Sequence, residues 1–191
     1  MEQDVQEPKS YKKELLIGAG VVAGIVAVVT AIALTVYNGA PRIVYEPAKA
    51  CDLFNSTEAK TLLGDKMIRS TMTDPKLSGD MGTSACGYTN GNPDMDNVIV
   101  AAINVRSGIN DKGVEQNKTE FATGKSIDTN EPVKDLGDSA YFNTKLGQLN
   151  VLEDRKWIIL SYGVATAPET NTVEKAIELA KLVVKSSSKK E

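Results

Sequence analysis

The chain has 191 residues, of which 22 are basic, 25 acidic and none histidine, giving a net charge of −3. The lack of histidine excludes Ser-His-Asp and Cys-His catalysis, imidazole-held metals and the usual neutral-pH proton shuttle. The near balance of charge, repeated in the 19 basic and 21 acidic residues that follow residue 37, excludes the basic footprint of a nucleic-acid binder.

In chain order, a polar segment from Met1 to Glu14 leads into an uninterrupted apolar run from Leu15 to Tyr37, 23 residues without a charge. At about 1.5 Å per residue such a helix reaches roughly 34 Å, enough to cross a hydrocarbon core of about 30 Å. It is predicted as a single transmembrane helix. Its length argues against a cleaved signal sequence, whose apolar region is shorter. Lys9, Lys12 and Lys13 crowd its N-terminal side, while Arg42 and Lys49 beyond it are fewer and farther off, which places the N-terminus in the cytoplasm and the rest outside. Gly20 and Gly24 form a GxxxG pair, and Ala23 and Ala27 continue a face with little side chain where a second membrane helix could pack. The expected partners are therefore the lipid bilayer and a membrane protein or a second copy held through that face.

Residues 38–50, with Gly39, Pro41 and Pro47, read as an extended stalk, so that the folded unit is expected over 51–185, with a frayed tail over 186–191. Cys51 and Cys86 are the only cysteines. Both follow the span, and a pair in an exported domain of this size predicts a disulfide.

Asn55 with Glu58 three residues on predicts a capping box, and a short helix through Leu62 and Leu63 ending at Gly64. Thr83–Thr89 and Asn97–Arg106 are predicted strands, joined as a hairpin by Asn90-Gly91-Asn92-Pro93-Asp94. Asp111–Thr123 is polar and helix-tolerant, with Val114 and Phe121 as core contacts. Ala140–Asn143, Gln148–Leu152 and Lys156–Val164 read as a meander. Val173, Ala176, Ile177, Ala180, Val183 and Val184 recur at helical spacing behind Asn171 as cap, predicting an amphipathic C-terminal helix. The expected fold is α+β, an antiparallel sheet packed on one side by an N-terminal and a C-terminal helix.

The order Cys51-x-Leu53, a helix ending Leu62-Leu63-Gly64, Cys86-Gly87-Tyr88, the phrase Asp135-Leu136-Gly137-Asp138-Ser139-Ala140-Tyr141, the strand Gln148-Leu149-Asn150-Val151 and a closing helix resembles the actinobacterial extracytoplasmic lipoprotein domain family of unknown function. The resemblance spans Cys51 to about Val184. It implies an α+β domain in a bacterial cell envelope and names no activity. Members typically carry a lipidated N-terminal cysteine, which this chain replaces with a transmembrane anchor, and often Trp where Tyr88 stands.

No cofactor motif is legible and no catalytic residue is expected. Asp74, Asp80, Asp94, Asp96, Asp135 and Asp138 are raw material for carboxylate chemistry, but acidic residues in turns usually cap or face solvent. Asn92 to Asn97 lacks the spacing and distal Glu of a calcium loop. Gly137-Asp138 reads as a turn that sets sheet register. Trp157, the sole tryptophan, is a candidate partner contact that competes with core packing. Asn55-Ser56-Thr57 and Asn117-Lys118-Thr119 match the glycosylation pattern. The expected function is a membrane-anchored, non-catalytic binding or accessory module, with a subunit of a membrane complex as the alternative.

Overall fold

A computed structural model describes residues 42–187. The predicted span, with Gly20, Ala23, Gly24 and Ala27, lies outside the described residues; among those described, no helix is long and apolar enough to cross a membrane.

Two short helices open the domain, α1 (Ala50–Leu53) and α2 (Ser56–Leu63), followed by β1 (Ile68–Ser78), β2 (Met81–Thr89) and β3 (Ile99–Gly108). Helix α3 (Asp111–Lys125) then leads to β4 (Asn130–Val133), β5 (Ser139–Asn143), β6 (Gln148–Glu153) and β7 (Lys156–Val164), and α4 (Val173–Ser187) closes the chain. All seven strands form one sheet in the order β1-β2-β3-β7-β6-β5-β4, with every neighbouring pair antiparallel. The two meanders β1-β2-β3 and β4-β5-β6-β7 thus meet where β3 pairs with β7. Cross-strand rows such as Cys86, Ile103 and Leu160 fix which side chains share a face.

One face is covered by α1, α2 and α4. Its core includes Phe54, Tyr88, Ile103, Ile158 and Leu160, with Ala176, Leu179, Ala180 and Val183 of α4 laid across them. The helical spacing expected for α4 is present, but its first turn bonds to Thr172, not Asn171: the N–H of Ala176 donates to the Thr172 carbonyl at 3.0 Å and that of Lys175 to its hydroxyl at 3.4 Å. The capping box of α2 is formed as the sequence predicts. Asn55 Oδ1 accepts from the Thr57 N–H at 2.7 Å, Glu58 Oε2 accepts from the Asn55 N–H at 3.1 Å, and Gly64 ends the helix.

Three features depart from the expectation. The polar segment after β3 is a full helix, α3, and it lies on the opposite face, so helices are not confined to one side. Gly113, Asn117 and Phe121, four residues apart, form its buried stripe, in place of Val114. Phe121 packs on Tyr141, Leu152 and Trp157, whose strand neighbours point to the main core. Strands β1 and β4 were not foreseen. The stalk is also shorter than expected: Val44 and Tyr45 both donate to the Ile109 carbonyl, and the Ala48 and Ala50 N–H groups bond Ser107 and Ser84.

Candidate functional site

Cys51 and Cys86 are joined, with Cα atoms 5.0 Å apart. The bond fastens α1 to the centre of β2, where Cys86 is fully buried. Closing a loop of this length stabilises the fold by about 4 kcal/mol in the chain-entropy model.

Trp157 is half-buried under α3. Its ring meets Phe121 edge-on at 5.7 Å, Arg106 lies over it, and its Nε1 donates to Asn150 Oδ1 at 2.9 Å. Arg106 also pairs with Glu120, so this cluster closes the back of the sheet. Burial opposes ionisation of Glu120, yet the bonds from Arg106 and Gln116 outweigh it and hold the carboxyl below its ordinary range. Tyr141, in the same cluster, is pushed up to about 12 by burial.

The segment around Gly137 is a turn. Gly137 has a φ of +57°, and a Cβ there would lie 2.5 Å from the Leu152 carbonyl oxygen, so only glycine fits. Asp138 Oδ2 accepts from the Asp154 N–H at 2.7 Å, which ties the start of β5 to the β6–β7 turn. Ser139 accepts from Lys125 Nζ at 2.7 Å, a contact between α3 and β5 that the sequence did not suggest.

The remaining carboxylates do not converge. Asp80 bonds Asn110 at 2.9 Å and Lys112 at 3.0 Å, and these two bonds hold it below its ordinary value. Asp74 falls in a bulge of β1, and Asp94 bonds Asp96 and Asn97 within its own loop. Among the described residues no group of three His, Cys, Asp or Glu side chains is arranged to hold a metal ion. Of the two sequons, Asn55 is a helix cap. Asn117 is buried, donating to the Arg106 and Arg155 carbonyls at 3.0 and 3.1 Å.

Two concavities among the described residues bear on binding. One, of about 450 Å³, lies between the α2–β1 connection and the β2–β3 loop, beside Gly64, Asp65, Lys66, Asn90 and Asn92. Asn90 is occupied by its own loop, since its Nδ2 donates to the Asn97 carbonyl and its Oδ1 accepts from the Asn92 and Ile99 N–H groups. The other, of about 290 Å³, is a groove between α2 and α4. Half-buried Leu62, Ile177 and Leu182 line it and Thr61, Glu174, Glu178 and Lys181 rim it. The Tyr162 hydroxyl, donating to the Leu62 carbonyl at 3.2 Å, pins α2 to β7 beside the groove. Apolar side chains held half-exposed by two rigid elements suit the binding of an apolar group.

Set against known proteins, the chain matches no family model, no curated protein and no solved structure.

Proposed function

We propose that this protein is a membrane-anchored, non-catalytic binding or accessory module of a bacterial cell envelope, its single transmembrane helix over Leu15–Tyr37 holding the α+β domain outside the membrane. The resemblance to the actinobacterial lipoprotein domains supports the compartment. The observation that carries the binding reading is the α2–α4 groove, whose floor of Leu62, Ile177 and Leu182 gives a protruding apolar group a place to lodge. At about 290 Å³ the groove suits a side chain or an acyl segment better than a large cofactor.

The alternative is a subunit of a membrane complex assembled through the Gly/Ala face of the span, favoured by the Gly20-x-x-x-Gly24 spacing. Purification of the intact protein from its native membrane, with mass spectrometry of bound proteins and lipids, separates the two. A species lost on Ile177→Lys but kept on Gly20→Leu/Gly24→Leu supports the groove, and the reverse supports the span.

A further inference from the structure

We propose that the end of the sheet where the chain comes in docks on the bilayer surface through Ile43, Val44 and Leu77. The inference rests on the anchored reading above. Ile43, Val44 and Leu77 are 46%, 56% and 42% exposed, and the signal is their grouping, not the exposure of any one of them. They belong to one end of the sheet. Val44 bonds the carbonyl of Ile109, which directly follows β3, while Leu77 sits in the row Leu77, Gly82, Ser107, two strands across or about 10 Å away. Pro47 fills the space beside Gly82 between them.

What holds this end near lipid is the length of the chain. Four residues separate Tyr37, the last of the apolar run, from Arg42, so even a fully extended link reaches only about 17 Å. Val44 is two residues further. The polar headgroup layer is itself about 5–8 Å deep on each side, so Ile43 and Val44 are confined to its vicinity and gain by burial there. Of the cations at this end, Lys112 pairs with Asp80 and Arg155 with Asp154, while Arg42 and Lys76 adjoin Ile43 and Leu77 in the chain. The docking surface is an apolar contact flanked by these two cations, and neutral lipid tests its apolar part by itself. The other exposed large apolar side chains lie apart from this end: Ile68 at the opposite end of β1, Met72 midway along it, and Ile127 and Leu146 toward the other sheet edge.

The test uses the full chain in phosphatidylcholine vesicles, with Leu77→Trp or Leu146→Trp as reporter and a lipid brominated near the headgroup as quencher. Trp157 stays in both proteins as a shared baseline, so its packing is undisturbed. Expected is quenching of the Leu77→Trp increment by about twofold or more, as for side chains lying about 5–10 Å into the interface, with the Leu146→Trp increment unchanged. Protein that floats with the vesicles while neither reporter is quenched, or both equally, overturns the docking and leaves the anchor standing. Protein that does not float overturns the anchor and the docking with it.

Discussion

The Asp138 carboxylate accepts the N–H of Asp154 at 2.7 Å, while the Asp138 N–H donates to the Leu152 carbonyl at 2.8 Å. A single residue at the mouth of β5 thereby holds the β6–β7 turn, where Asp154 itself has a φ of +51°. The phrase Leu136-Gly137-Asp138-Ser139 is a register lock for the second meander.

Replacing Asp138 by Ala removes the acceptor from a turn that needs it. The expected loss is about 1–2 kcal/mol in urea unfolding, with Asp138→Asn, which keeps an amide oxygen, losing less. Equal losses for both variants would assign the effect to charge and not to the bond.

Asn117 serves two strand-end carbonyls, Arg106 and Arg155, from a helix on the other face. Asn117→Ala removes both bonds, although the Arg155 carbonyl keeps the Gly108 N–H at 3.0 Å, and is expected to cost about 1–3 kcal/mol. Phe121→Ala, one turn on, is expected to cost about 3–5 kcal/mol by opening a cavity against Tyr141 and Trp157. Thermal melts of the two variants check both values.

The pairing of Cys51 with Cys86 makes stability redox-dependent. Reduction of the intact protein is expected to cost about 2–5 kcal/mol and to loosen α1 from β2 first. Hydrogen exchange over residues 50–54 reads that loosening; unchanged protection there would show that Phe54 and Leu53 alone hold the helix.

Acid acts through the Asp80 and Glu120 carboxylates and alkali through Tyr141. Glu120 and Asp80 are held below their ordinary values of 4.5 and 3.8, so their contribution is complete above those values and is lost as pH falls through the depressed ones. The urea midpoint should therefore fall as the pH drops below about 5, and Glu120→Gln should flatten the decline. Tyr141 is raised from 10.0 to about 12, so its contribution is complete below pH 10 and lost from there to pH 12. Tyr141→Phe should abolish that alkaline step.

How far the sequence reached is clearest element by element. The Asn55–Glu58 box, the hairpin around Asn90-Gly91, the strands β5 to β7 and the amphipathic α4 were legible, because each carries a local signal of cap, turn or period. Strand β1 was not. It is an edge strand, exposed along most of its length, with two register shifts and Pro75, so no alternation marks it. These irregularities also blunt it as a template for another strand. β4 has four residues, one of them Pro132. Helix α3 hides because its buried stripe is Gly113, Asn117 and Phe121, only one of which is apolar and large; the spacing of four was present to be read. The α2–α4 groove was not legible at all, since Leu62 and Ile177 are distant in sequence and look like ordinary core positions.

The proposed placement has residues 42–191 outside a membrane that the preceding run crosses. The direct measurement is protease treatment of intact cells or protoplasts, followed by alkaline extraction of the membranes and detection of an N-terminal tag. The untreated protein is expected to resist extraction, and the protease to leave only a short tagged fragment in the membrane. Release of the whole chain by alkali, or full protection from the external protease, would contradict it.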